Sequence, residues 1–309
     1  MNNLFHAELY RYKQSLLFWC TVCAAIVAGI VYGLEVINNG TFDDMFIVPL
    51  FVLLATFFSL SIGREYSDGT IRNKIIAGKT KSTIYLSRIY LNLIVTTLFV
   101  LMYLIPFVAI TFTSVLTKIP TNLLLWIVLG FFLLNFVWAI LFTVVSTLIT
   151  SREVASIINF VLIIVIMFAA YQAEHMIGQQ QFLGSYTEST IPMTSKEVTQ
   201  VLNNTFNGSY TSTDEDGVMT YYKIVLTDEI QLPNPSYIKE PFRTILVNVE
   251  NILPYGQINA YVSYLTGFMY NDTSEEYVAA IKLYPLYSLF VLAILTASGL
   301  LVFRKKDLK

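Results

Sequence analysis

Six stretches of this chain contain no Asp, Glu, Lys, Arg or His: residues 15–32, 46–62, 89–112, 123–149, 154–171 and 284–303. A bilayer's hydrocarbon core is about 30 Å thick and a helix rises 1.5 Å per residue, so about 20 apolar residues suffice to cross it. No water-soluble domain of ordinary size can hide six such runs. With 55% hydrophobic and 13% charged residues, the chain falls well below the charge content of about one quarter found in soluble proteins. The expected fold class is therefore an all-α polytopic membrane protein with six transmembrane helices. The third and fourth runs are long enough to tilt. Arg11 and Lys13 ahead of the first run give it the look of a secretory leader, but five further spans follow, and the run reads as a retained helix.

Short loops rich in Lys and Arg stay on the cytoplasmic side. One face collects Arg11 and Lys13, then Arg64, Arg72, Lys74, Lys79, Lys81 and Arg88, then Arg152, then Arg304, Lys305, Lys306 and Lys309, whereas short loops on the other face offer only Lys118. Both termini of this multi-pass cell-membrane protein are expected to be cytoplasmic. Residues 172–283 are then extracellular, about 110 residues that can fold alone. Their acidic patches are "TDEDG" and "NDTSEE". The alternation in "VMTYYKIVL" after a turn-forming "DEDG" predicts a strand, so this segment reads as an α+β domain. The later "VNVENILPYGQINAYVSYLTGF" is apolar enough to lie along the outer membrane surface or re-enter it. An outer segment without cysteine favours a bacterial surface of Gram-positive type. Asn-x-Ser/Thr sequons at Asn39, Asn203, Asn207 and Asn271 all fall outside on this topology and read as chance in an Asn- and Thr-rich chain.

The "NKIIAGKT" stretch, 73–80, ends like a phosphate-binding loop, yet Asn73 stands where that loop has its first glycine and no buried strand precedes it. Cys20 and Cys23 share a helical face inside hydrocarbon with no histidine or carboxylate to complete a metal shell. His6 and His175 fall on opposite sides of the membrane, and the usual intramembrane hydrolase motifs are missing. The chain is thus not expected to be an enzyme by itself. Ion-driven pumps need an ionisable group inside the membrane, and the six runs hold only neutral polar residues such as Asn92, Asn135, Asn159, Thr143 and Ser146. Those groups suit hydrogen bonds between helices. A transporter built this way draws its driving force from a partner.

The basic loop 63–88 between spans two and three suits such a partner. Ser67 or Asp68 can cap a short helix "GTIRNKIIA" that places Ile71, Ile75 and Ile76 near one face; Gly78 supplies a left-handed stop, and Thr80 or Ser82 starts the next helix. A helix of this kind can dock its apolar face on another protein or lie on the inner membrane surface.

The segment "REYSDGTIRNKIIAGKTKSTIYLSRI" resembles the signature of type-2 ABC-transporter permeases, in which a Glu, a Gly-Thr, an apolar helix and a basic residue opening the third span recur. Glu65, Gly69, Thr70, Ile71, Ile75 and Arg88 match it. The N-terminal "LFHAELYRYKQS" is similar to that family's interfacial elbow helix. The resemblance implies that Glu65, Gly69, Thr70, Ile71, Ile75 and Ile76 form a coupling interface with a separate cytosolic ABC ATPase subunit. It implies four regions: an elbow at 1–14, spans one to five at 15–171, the extracellular domain at 172–283, and span six with a basic tail at 284–309. It also implies a second permease subunit, no cofactor on this chain, ATP and Mg on the partner, and no nucleic acid. The implied function is outward transport of an amphipathic peptide, antibiotic or lipid-like substrate. The alternative is a membrane-anchored sensor or immunity protein whose outer domain captures a ligand.

Overall fold

The computed structural model describes residues 2–113, 117, 119–192, 209–213, 219–269 and 275–306. Asn203, Asn207, Asn271, Lys118, Lys309, most of "TDEDG" and the first residues of "NDTSEE" lie outside the described residues.

Six helices are long and apolar enough to cross a membrane, by length and composition. The chain begins with α1 (Asn2–Lys13), and the first five spanning helices are α2 (Leu16–Asn39), α3 (Val48–Ser67), α5 (Lys81–Thr111), α6 (Thr121–Leu148) and α7 (Arg152–Ile177). A seven-residue helix, α4 (Thr70–Ile76), stands between α3 and α5. After α7 come strands β1 (Phe182–Pro192), β2 (Ser209–Thr213) and β3 (Met219–Pro233), then helices α8 (Phe242–Ile252), α9 (Pro254–Met269) and α10 (Glu275–Lys305). The sixth candidate span is the Ile281–Lys305 part of α10.

The chain divides into two compact units, one of residues 1–174 with 244–309 and one of residues 175–243. In the second, β3 pairs antiparallel with β1 on one side and β2 on the other. The apolar segment after it does not stay with the sheet: from Thr244 onward it belongs to the helical unit. There α9 buries Tyr255, Ile258, Tyr261 and Tyr264. Tyr261 meets Tyr284 of α10 edge to face at 5.4 Å, and a Cβ on Gly130 of α6 would strike its hydroxyl.

Aromatic rings fill the helical unit. Phe51 of α3 stacks on Trp138 of α6 at 4.9 Å, and Tyr32 of α2 stacks on Phe107 of α5 at the same separation. Gly29 of α2 lies against the Tyr103 carbonyl of α5, leaving no room for a side chain; this is the close backbone approach that small residues permit in membrane helix pairs. Helix α7 buries only Ala155, Asn159, Ile163, Ala170 and Ala173 and, like the spanning part of α10, leaves most of its surface exposed.

The helices outrun the charge-free stretches. Hydropathy ends the second run at residue 62 and starts the third at 89, whereas α3 continues to Ser67 and α5 begins at Lys81. The extra turns bring Glu65 and Arg88 onto regular helix.

Candidate functional site

The loop 63–88 is almost entirely helical. Gly69 takes φ +65°, a left-handed conformation that glycine adopts without steric cost. Its N–H closes the end of α3 on the Tyr66 carbonyl at 3.2 Å, while its own carbonyl receives the Asn73 N–H at 3.0 Å. One glycine therefore both stops α3 and starts α4. The sequence expectation that Ser67 or Asp68 caps α4 is corrected here: Asp68 ends α3, and Gly69 occupies the N-cap without a side-chain bond. At the other end Gly78, φ +80°, donates its N–H to the Ile75 carbonyl at 2.9 Å. Thr80 caps α5, its hydroxyl accepting the Thr83 N–H at 3.2 Å. The Gly-Lys-Thr sequence is a helix stop followed by a helix start.

The exposed apolar face expected on α4 needs a second correction. Ile71 is only 2% exposed, Lys74 is buried beside it one turn on, and Ile75 is half-buried. This side of α4 is consumed by its own chain. What α4 presents outward is Ile76, 74% exposed, with Arg72, Asn73, Ala77 and Lys79 around it. Of the face expected from Ile71, Ile75 and Ile76, only Ile76 is left exposed, with Ile75 half-buried and Ile71 sealed. Gly69 and Thr70 are half-buried.

Beneath α4 lies a buried ion cluster. Glu65 is 1% exposed, as is Arg88, and the Glu8 side chain of α1 is 3% exposed. The Glu65 Oε2 accepts from the Arg88 guanidinium of α5 and from the Lys74 ammonium of α4, the latter at 2.9 Å. Lys74 also donates to Glu8, and Arg11 of α1 approaches the other Glu65 oxygen at 3.6 Å. Four elements thus meet at one carboxylate. Withdrawing an ion from water costs several kcal/mol; here two buried carboxylates and two buried cations offset each other, with Arg11 at the rim. Nearby, Tyr12 donates toward the Asn92 Oδ1 of α5 at 3.5 Å. Burial, then the Glu65 charge, pushes the Tyr12 phenol up against the opposing effect of Arg88, so it stays protonated as a donor.

From this cluster, polar contacts run along the spans. Asn92 donates to Thr143 of α6 at 2.7 Å. Asn159 of α7 donates to Ser59 of α3 at 2.8 Å and to Ser146 of α6 at 2.9 Å. These are interhelical bonds of the expected kind. Thr96, Thr97 and Asn135 instead donate to the carbonyl four residues earlier in their own helices. The end of α10 is tied in too. Lys306 donates to the Thr147 carbonyl at 2.7 Å and to the Tyr66 hydroxyl at 3.1 Å, and Lys81 donates to the Lys306 carbonyl at 2.6 Å. Burial, with a smaller contribution from Arg88, lowers the Lys306 ammonium to about 8.

Of the residues singled out from sequence, Glu65 and Arg88 are brought together as an ion pair, and Ile71 packs beneath α4. Glu8 and Lys74 complete the cluster, although neither stands out as a site residue in the sequence. Their signal was positional: Glu8 shares a helical face with Tyr12, one turn on, and Lys74 follows Ile71 by three residues on the apolar side of α4. Cys20 and Cys23 are free and exposed on α2. Among the described residues no group of His, Cys, Asp or Glu could hold a metal ion. Compared with known proteins, the chain matches no family model, no curated protein and no solved structure.

Proposed function

We propose that this multi-pass membrane protein is the permease subunit of an ATP-binding-cassette exporter, paired with a second permease subunit and driven by a separate cytosolic ATPase that carries ATP and Mg. The observation that supports this reading is the attachment of α4. A helix that merely rests on a membrane surface needs only an apolar underside, whereas α4 is fastened by Lys74 to Glu65 of α3 and Glu8 of α1, next to Arg88 of α5. A push on Ile76 would be passed to three other helices as a unit. Coupling of this sort travels through contiguous packed and hydrogen-bonded elements. Neutral, aromatic and apolar walls suit an amphipathic peptide, antibiotic or lipid-like cargo, moved outward when nucleotide closes the ATPase pair. In this reading the basic end of the helices is cytoplasmic and the sheet unit, 175–243, is extracellular.

The test separates docking from folding. Ile76→Asp places a charge on the exposed face of α4; the variant is expected to fold as the parent does but to lose most of the ATPase that co-purifies with the chain. Ile71→Asp buries that carboxylate inside the chain and is expected to cost folding itself. A chain whose neighbouring ATPase is retained equally with Ile76 or Asp at that position does not dock through α4, and the exporter reading falls. Sidedness is checked in a chain with Cys20 and Cys23 replaced by serine. A cysteine at Met45 is expected to react with an impermeant thiol reagent on intact cells, and one at Ser67 only after the membrane is opened.

A further inference from the structure

At the end of α3 and α7 remote from Glu65, a cleft of about 610 Å³ opens between α7, α9 and the turn of residues 44–47. One wall is apolar, built from Ile164, Met167, Phe168 and Tyr171 of α7. The other is acidic. Asp44 accepts from the Tyr255 hydroxyl, and Glu174 accepts from the Asn259 side-chain amide at 2.9 Å. Among the described residues no lysine or arginine pairs with either carboxylate, in contrast to Glu65. Asn259, only 8% exposed, lines the cleft and holds the Glu174 carboxylate in place at its edge.

We propose that this cleft binds an amphipathic cation, a protonated amine or guanidinium on an apolar body. The charged head is drawn to the Asp44 and Glu174 carboxylates; the body rests on Met167, Phe168 and Tyr171. Each wall selects against a different molecule. An anion meets two uncompensated carboxylates, and a small hydrophilic cation leaves the aromatic wall bare. A simple hydrocarbon leaves both carboxylates without a cation. Binding rests on this chain alone and is independent of whether an ATPase docks on α4. The same head chemistry occurs in amine-bearing phospholipids and in cationic amphiphiles arriving from solution.

The probe is dansylcadaverine, a fluorescent aromatic ring joined to a primary amine, titrated into the detergent-purified full chain while dansyl emission is followed. Saturable binding is expected, with the N-acetylated probe, which lacks the charge, at least about tenfold weaker. Glu174→Gln is near-isosteric at an exposed position, so the variant should fold; it and Asp44→Asn are each expected to weaken the amine about tenfold while leaving the residual binding of the acetylated probe unchanged. Ser263→Trp, which fills the cleft, should weaken both probes. Phosphatidylethanolamine added to the micelles identifies the source. If it displaces the probe where phosphatidylcholine does not, the occupant is a lipid headgroup; if neither competes, the occupant comes from solution. Equal affinity for the amine and its acetyl derivative, or unchanged affinity in both carboxylate variants, overturns the proposal.

Discussion

The two ends of the α3–α7 pair treat their carboxylates in opposite ways. At one end Glu65 receives Arg88 and Lys74, with Arg11 close by, and is sealed from solvent. At the other, Asp44 and Glu174 rely on a tyrosine hydroxyl and an amide, and Glu250 of α8 lies near enough to Glu174 to feel its charge. The first arrangement balances its charges and holds four elements in register, with Arg88 Nε and Nη1 and Glu8 Oε2 left without a hydrogen-bond partner among the described residues. The second keeps negative potential in a cleft. A protein that needs one end to transmit force and the other to accept something has reason to close the first and leave the second open.

The largest effect should come from opening the closed end. Glu65→Leu removes the acceptor of a buried Arg88, and losing one member of a buried ion pair typically costs about 3–5 kcal/mol. The variant is expected to lose most folded protein on size exclusion, or to melt far below the parent. Adding Arg88→Met should recover much of the loss, because the remaining pair, Lys74 with Glu8, stays balanced and the new side chains are apolar. If the double variant is no better than the single, the cluster does not act as mutually compensating charges. Glu174→Gln, the corresponding change at the open end, should leave the melting profile nearly unchanged.

A smaller effect is expected between the two ends. Asn159 joins α7 to Ser59 and Ser146, and α7 has few other buried side chains. Membrane interhelical hydrogen bonds are worth about 1 kcal/mol, so Asn159→Leu should lower the melting temperature modestly. Asn135, which bonds within its own helix, should tolerate the same change better, and equal sensitivity at the two sites would contradict the distinction.

These contrasts mark what the sequence could reveal. Charge-free runs of hydrophobic residues announce membrane helices directly, because length and composition are the physical requirement; all six reappear. Glycine stops are nearly as readable, since a positive φ excludes most side chains, and Gly78 and Thr80 behave as their types suggest. The ion cluster was only half legible. Hydropathy counts a charged residue as the end of a span, so Glu65 and Arg88 fall outside the charge-free runs, although a helix starting at Thr80 already carries Arg88. Whether a charge is solvated or paired depends on which helices meet, and nothing local to Glu8 or Lys74 states that they meet each other across 66 positions. The same limit explains Ile71: its apolar face was read correctly, but its partner proved to be its own chain. The cleft at the open end was not foreseen at all, because Asp44, Glu174 and Asn259 come from three segments and are individually unremarkable.

The smallest effect tests the open end through its pH dependence. Burial, and then the Glu174 charge, raise the Glu250 carboxyl from its ordinary 4.5 to about 7. The folded chain thus holds this proton more tightly than the unfolded chain. Folding is favoured while the group is protonated, and that contribution is present in full below pH 4.5, declines as pH rises, and is gone above about 7. Glu250→Gln mimics the protonated form at every pH. Its melting temperature should match the parent near pH 4.5, exceed it increasingly up to pH 7, and hold a constant, modest lead above that, modest because the site is only half-buried and solvent screens it. Glu174→Gln in the same chain should shrink the lead, since part of the shift is repulsion between the two carboxylates, whereas Glu65 at the far end should have no influence on it. A lead that is flat from pH 5 to 8 would mean that Glu250 is solvated as an ordinary surface carboxylate, and the difference between the two ends would then lie in pairing alone, not in burial.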